Sequence, residues 1–135
     1  MAKFAMQLSK SRILYIEDHD DTRELVSLVL CQSGFDVITG STIEAGVRLA
    51  VGKTFDLYLL DSWLPDGSGL DLCKRIREFD PHTPILFYSA AAYEVDREMA
   101  LESGAQAYLV KPSQTTELCA LVSSLIETFR AGTSI

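Results

Sequence analysis

The chain has 135 residues, a length that fits one domain able to bury a core without disulfide or metal support. Its formal net charge is -7, which argues against direct nucleic-acid binding because that requires a basic surface. No apolar run approaches the roughly 18 residues of a membrane span. The three scattered cysteines indicate reduced thiols. These features favour a cytoplasmic domain that binds neither membrane nor nucleic acid directly.

Short apolar runs alternate with helical patterns along the chain. In chain order, the first predicted elements are a strand over Arg12–Glu17, a helix over Asp21–Ser33, a strand over Phe35–Ile38, a helix opened by the capping-box sequence Ser41-Thr42-Ile43-Glu44 and a strand over Phe55–Leu60. They are followed by a helix over Leu70–Phe79, a strand over Ile85–Ser89, a helix over Glu94–Ser103, a strand over Ala107–Val110 and a helix carrying the apolar stripe Leu118–Phe129.

This alternation predicts the fold class. Five βα units imply right-handed crossovers and a doubly wound, five-stranded parallel sheet. The near-continuous apolar runs suit strands that are buried on both faces. Residues 11–130 are predicted to form this domain, with an N-terminal extension over residues 1–10 and a C-terminal tail over residues 131–135. In such sheets ligands bind at the carboxyl ends of the strands, so functional residues are sought there.

Acidic residues stand at two of those strand ends. Glu17 and Asp18 end the first predicted strand, and Asp61 directly follows the third. If these strands are neighbours, the three carboxylates converge, and each pair repels by about 4 kcal/mol at 4 Å and an effective dielectric of 20. A hard divalent cation that prefers oxygen ligands, typically Mg2+, offsets such repulsion.

Two further strand ends carry a hydroxyl and a cation. Ser89 ends the fourth strand, and Lys111-Pro112 follows the fifth. Together with Asp61, they offer a carboxylate nucleophile, a hydroxyl donor and an ammonium group beside a metal site. Phosphoryl transfer needs this set of groups, because that reaction depends mainly on positioning and on neutralising charge.

Taken in order, these residues resemble the pattern of response-regulator receiver domains. The matching residues are Glu17-Asp18, Asp61 followed by Leu64-Pro65 and Gly67, Ser89, and Lys111-Pro112. The resemblance covers about residues 11–130 and implies a flavodoxin-like (βα)5 fold with strand order 2-1-3-4-5. It also implies a phosphoryl-accepting signalling switch, not a metabolic enzyme, that catalyses its own phosphorylation and dephosphorylation at Asp61.

The resemblance assigns a role to each matching position. It implies that Asp61 accepts the phosphoryl group, that Glu17, Asp18, Asp61 and the Trp63 backbone carbonyl bind Mg2+, that Ser89 and Lys111 contact the phosphoryl oxygens, and that Ser89 and Tyr108 form the switch. The Lys111-Pro112 peptide bond is expected to be cis, in a turn that aims the lysine at the acceptor.

Four positions depart from the residues that are commoner in the family. Glu17 stands where aspartate is frequent, and Ser113 stands where phenylalanine is common. Trp63 and Ala91 occupy the two variable positions beside the reaction centre and offer little hydrogen bonding to an attacking water. The sequence therefore predicts slow self-dephosphorylation.

The resemblance also implies partners. A sensor histidine kinase or a phosphotransfer protein is expected to donate the phosphoryl group to Asp61. Phosphorylation is then expected to change the face built by the fourth helix, the fifth strand and the fifth helix, which could bind a downstream protein or a second copy of the chain.

Two alternatives compete with this interpretation. A pseudo-receiver that only docks partners is disfavoured because Asp18, Asp61 and Lys111 are all present. An aspartate-nucleophile phosphatase is disfavoured because Trp63 stands two residues after Asp61, where those enzymes carry an acidic residue, and because the sequence shows no cap domain.

Overall fold

The computed structural model describes residues 10–132. The strands of its main sheet are β1 (Arg12–Ile16), β2 (Asp36–Gly40), β3 (Leu57–Leu60), β4 (Ile85–Ser89) and β5 (Ala107–Val110), and the helices are α1 (Asp20–Gln32), α2 (Ile43–Gly52), α3 (Gly69–Arg77), α4 (Glu94–Glu102) and α5 (Thr115–Arg130). Most of the predicted N-terminal extension and of the predicted tail lies outside the described residues, so both stay predictions.

The five strands form one parallel sheet in the order β2-β1-β3-β4-β5. This is the doubly wound order. After β2 is added on one side of β1, the chain crosses over and adds β3 on the other side, so the switch in strand order lies between β1 and β3. The register pairs Ile16 of β1 with Leu60 of β3. The residues that follow these two strands therefore leave the sheet side by side at its carboxyl edge.

Helices cover both faces of the sheet and create two cores. Side chains of β1 alternate between them: Leu14 and Ile16 lie in the core under α2, α3 and α4, whereas Ile13 and Tyr15 lie in the core under α1 and α5. All residues of β3 are buried. This burial explains why the strands are near-continuous apolar runs instead of strict polar and apolar alternations.

The start of α2 differs from the prediction. The capping box at Ser41 is wrong, because the N-cap is Thr42, whose Oγ1 accepts a hydrogen bond from the Ala45 N–H at 3.0 Å. Glu44 does not fold back onto this helix start and instead pairs with Arg75 of α3 at 2.5 Å. A tertiary ion pair thus replaces the local contact that the sequence motif predicts.

The segment between β3 and α3 contains a small antiparallel ladder that pairs Trp63–Leu64 with Gly67–Ser68. The sequence pattern did not predict it. Within residues 10–132, no helix combines the length and the hydropathy that a membrane span requires.

Candidate functional site

Three carboxylates meet at the carboxyl edge of the sheet, as the strand ends predict. One oxygen atom from each of Glu17, Asp18 and Asp61 lies within 4.8 Å of the others. Glu17 is 1% exposed and Asp61 is 7% exposed, whereas Asp18 is exposed to solvent. Two of the three negative charges are therefore largely withdrawn from water, which makes their mutual repulsion costly.

Lys111 brings the balancing positive charge. Its ammonium forms an ion pair with Glu17, and its Nζ lies 3.8 Å from Oδ2 of Asp61. The backbone places it there, because the Lys111 N–H donates to the Ser89 carbonyl at 2.8 Å. The Lys111-Pro112 peptide is cis, as expected. The site thus joins the ends of β1, β3 and β5.

The two buried carboxylates differ in their protonation equilibria. Burial raises the pKa of Asp61 to about 6, against the opposing attraction of Lys111 and with added repulsion from Glu17. Burial also favours the neutral form of Glu17, but its hydrogen bond and attraction to Lys111 prevail, so the pKa of Glu17 is lowered. Lys111 therefore compensates Glu17, and Asp61 keeps a negative charge that is poorly compensated.

The cluster has the chemical character of a magnesium site. Mg2+ prefers carboxylate and carbonyl oxygens, and the poorly compensated charge of Asp61 favours an added cation. The second oxygen of Glu17 accepts the His19 N–H at 3.2 Å, which holds that side chain at the edge of the sheet. Trp63 lies two residues after Asp61, at the start of the short ladder, and its carbonyl as a further ligand stays a prediction.

The two predicted switch residues meet at Ala91. The Ser89 side chain is fully buried, and its Oγ accepts the Ala91 N–H at 3.1 Å. The Tyr108 hydroxyl donates to the Ala91 carbonyl at 2.7 Å, while its ring stacks on Phe87 at a centroid distance of 5.9 Å. The backbone of one residue therefore connects the predicted phosphoryl-binding hydroxyl with the predicted aromatic switch.

Ser113 stands where the family commonly has phenylalanine, and it contacts Tyr88, the aromatic residue that lies next to Lys111. Its hydroxyl donates to the Tyr88 hydroxyl at 3.2 Å, and the Tyr88 ring lies 5.4 Å below the Lys111 ammonium. A cation at that distance from an aromatic face is attracted to it. With serine at position 113, the Lys111 ammonium still lies over an aromatic ring, that of Tyr88.

One residue important for the site was missed by the sequence analysis. A Cβ at Gly69 would lie 2.0 Å from the carbonyl oxygen of Asp61, so only glycine lets the first residue of α3 pack against the backbone of Asp61. The N–H of the next residue, Ser62, donates to Oδ1 of Asp61 at 2.8 Å. Gly67 belongs to the sequence pattern that follows Asp61, but nothing in the sequence alone indicated the close approach at Gly69.

The raised pKa of Asp61 predicts a pH-dependent change in stability. Without a metal, the folded state binds more protons than the unfolded state between the ordinary pKa of 3.8 and the folded-state pKa of about 6. Stability is therefore lost as the pH rises through that window. Asp61→Asn removes this charge and is expected to stabilise the protein by about 1–3 kcal/mol at about pH 8.

Urea unfolding in EDTA, at about pH 8 and about pH 4, measures this effect, and the gain should shrink at the lower pH. Asp36→Asn is the control because Asp36 is exposed at the start of β2. An equal gain for Asp61→Asn at both pH values would show that charge is not its cause.

Comparison with known proteins agrees with this geometry. The family model for the response regulator receiver domain matches residues 13–123. The alkaline phosphatase synthesis transcriptional regulatory protein SphR of Synechococcus elongatus is 40% identical in an alignment of 128 positions that covers 86% of this chain and 49% of SphR. The response regulator ArlR of Staphylococcus epidermidis is 33% identical over 116 residues, 86% of this chain and 52% of ArlR. The chain spans about half the length of the curated relatives it matches.

A solved structure shows the same fold. The receiver domain of the sensor histidine kinase PA1611 from Pseudomonas aeruginosa PAO1, with a magnesium ion in its active-site cleft, has a TM-score of 0.82 and 28% identity, and the match covers 88% of this chain and 99% of that one. Its fold corresponds to the five-stranded sheet and the flanking helices described above. The chain belongs to the response-regulator receiver domains of two-component signalling.

Proposed function

We propose that this domain is a phosphoryl-accepting switch in which Asp61 takes a phosphoryl group from a histidine kinase or a phosphotransfer protein. The observation that carries the proposal is the meeting of Glu17, Asp18 and Asp61 with Lys111 at the ends of neighbouring strands. Glu17, Asp18, Asp61 and the Trp63 carbonyl would hold Mg2+. When bound, this ion supplies positive charge that offsets the charge on the phosphoryl oxygens.

Asp61 has the properties that a nucleophile needs in this reaction. With a pKa of about 6 it is mostly ionised at neutral pH, and its carboxylate oxygen attacks the phosphorus of phosphohistidine. The phosphorus–nitrogen bond breaks as the oxygen–phosphorus bond forms, and the imidazole nitrogen keeps the electron pair of the broken bond. Asp61 thus becomes an aspartyl phosphate.

Lys111 and Ser89 are placed to bind the transferred group. Lys111 lies 3.8 Å from Oδ2 of Asp61, close enough for its ammonium to neutralise an oxygen bound to the phosphorus. The Oγ of Ser89 accepts a hydrogen bond from the Ala91 N–H, which leaves its hydroxyl proton to be donated to a second oxygen.

The contact at Ala91 supports a route from the phosphoryl group to the surface. A Ser89 hydroxyl drawn toward the phosphoryl group changes its hydrogen bond to the Ala91 N–H, and Tyr108 holds the carbonyl of that same residue. Beyond them, Tyr93, Val95 and Met99 on and beside α4 and Val110 of β5 are exposed. This apolar face suits a downstream protein or a second copy of the chain.

Phosphorylation is the direct test of the acceptor. Incubation with Mg2+ and a small phosphodonor should add one phosphoryl group, detected by intact-protein mass spectrometry. Asp61→Asn should abolish the addition, since an amide is not a nucleophile here, and EDTA should suppress it. Asp36→Asn, which removes an exposed carboxylate outside the cluster, should be labelled normally. Addition that persists in Asp61→Asn, or that is equal in EDTA, contradicts the assignment.

Beryllofluoride, which mimics the phosphoryl group, tests the switch. In NMR spectra its addition should shift the amide signals of Ala91 and of α4. Tyr108→Phe, which loses the hydrogen bond to the Ala91 carbonyl, should reduce the shifts in α4 while those near Asp61 persist. Tyr93→Phe is the control, because Tyr93 is exposed near the same face. If α4 responds equally in Tyr108→Phe and in wild type, Tyr108 does not couple the two sites.

Trp63→Asn tests the lifetime of the phosphorylated form. Trp63 and Ala91 line a small cavity of about 110 Å3, together with Met99 and with Ser62, the residue that directly follows Asp61. The side chains of Trp63 and Ala91 are poorly suited to orient a water molecule, so slow self-dephosphorylation is expected. An asparagine amide supplies hydrogen bonds and should speed the loss about tenfold, equivalent to roughly 1.4 kcal/mol in the barrier.

The decay of phosphorylated protein after donor removal measures this lifetime. Phe79→Asn is the control, since Phe79 is a partly exposed aromatic residue that follows α3 at the other end of the sheet. A decay rate that is unchanged or lower in Trp63→Asn means that Trp63 does not limit the approach of water.

A further inference from the structure

The loop that follows Asp61 is closed at its base. The Gly69 N–H donates to the Ser62 carbonyl at 2.8 Å. Between these residues, Trp63–Leu64 pairs with Gly67–Ser68 in the antiparallel ladder, so that Pro65-Asp66 forms the turn at the tip. The proposed Trp63 metal ligand therefore lies on a short hairpin, and the position of its carbonyl depends on what holds the hairpin in place.

The tip of this hairpin is tethered to the N-terminus of α2. The carboxylate of Asp66 accepts hydrogen bonds from the Ile43 N–H at 2.8 Å and from the Glu44 N–H at 3.2 Å. The first N–H groups of a helix lack partners within the helix, and they favour a negative charge. These bonds lower the pKa of Asp66, so the tether is ionic at neutral pH although Asp66 is exposed.

The tether is not needed simply to cap α2. Thr42 already caps the helix from its own segment through the Ala45 N–H, whereas Asp66 reaches across 23 residues of sequence to Ile43. The next residue, Gly67, has a φ of +147°, and a Cβ there would lie 2.8 Å from Cδ1 of Ile43. The hairpin therefore rests directly against the start of α2, and Asp66 connects two segments where Thr42 acts within one.

We propose that Asp66 is a positioning residue for the metal site, anchoring the hairpin so that the Trp63 carbonyl stays aligned with the carboxylates of Asp61 and its neighbours. Mg2+ demands near-ideal octahedral geometry, so a ligand on a loosened hairpin lowers the affinity even though no ligand is removed. The inference rests on the proposed function, since it takes the Trp63 carbonyl as a ligand. Asp66 itself is not a ligand and acts only through the hairpin.

The test measures Mg2+ binding, with Mg2+ alone as the probe, by NMR titration of the full chain. Trp63 is the only tryptophan, so a single indole N–H signal reports on the hairpin, and the backbone amides report on the fold. Asp66→Ala should raise the Kd for Mg2+ about tenfold, the lower end of the effect of removing groups that orient metal ligands.

Two further variants separate positioning from capping. Thr42→Ala removes a cap from the same helix but keeps the tether, and its Kd should stay at the wild-type value. Asp66→Asn keeps one acceptor oxygen for the helix N–H groups, so its Kd should fall between those of wild type and Asp66→Ala. Amide hydrogen exchange in Trp63–Ser68 should quicken in Asp66→Ala and not in Thr42→Ala.

Several outcomes would overturn the proposal. Equal Kd values for Asp66→Ala and Thr42→Ala would show that Asp66 only caps the helix. If Asp66→Ala loses its dispersed amide signals, Asp66→Asn decides, and a wild-type Kd together with faster amide exchange in Trp63–Ser68 in that variant refutes positioning. If the wild-type protein itself does not bind Mg2+, the proposed function is wrong about the metal. That result is distinguishable from the others because it appears in the wild type, before any variant is compared.

Discussion

At the carboxyl edge of the sheet, the ammonium of Lys111 lies against the carboxylates of Glu17 and Asp61. Both carboxylates are buried and Asp18 lies beside them, so the fold concentrates negative charge where water cannot screen it well. Lys111 satisfies Glu17 more fully than Asp61, and this inequality leaves the negative charge of Asp61 poorly compensated. A cation bound at this edge would offset that charge, so the stability of the domain and the proposed chemistry depend on the same electrostatic balance.

The rest of the fold serves to hold this edge in place. Buried residues on both faces of β1 and β3 keep the two strands in register, and the register brings their terminal carboxylates together. Glycine at position 69 lets α3 begin directly against the backbone of Asp61. Such a site stores unfavourable charge only because the surrounding packing is stable enough to keep it there.

Departures from the commoner family residues have visible physical consequences. Glu17, with a side chain longer than that of aspartate, forms the ion pair with Lys111 while its other oxygen accepts the His19 N–H. Ser113 contacts the hydroxyl of Tyr88, whose ring supports Lys111. Both departures therefore bear on how the lysine is held, and neither removes a group that the proposed phosphoryl transfer requires.

The sequence by itself determined the strands, their order of appearance and the residues that follow them, because buried parallel strands need continuous apolar runs and place their ends at one edge. Glu17, Asp18, Asp61 and Lys111 could thus be assigned to one site in advance. Only the tertiary structure decided the contacts of Ala91 with Ser89 and Tyr108, the close approach at Gly69, the tether from Asp66 to α2 and the pairing of Glu44 with Arg75. The contact of Tyr108 with Ala91, the Asp66 tether and the Glu44–Arg75 pair join residues 17 to 31 positions apart in the chain, and a local sequence pattern does not indicate which distant groups will meet. The predicted capping box at Ser41 was wrong for the same reason. The motif assigned the Glu44 carboxylate to the helix start, but that carboxylate binds Arg75, which is 31 residues away in the sequence.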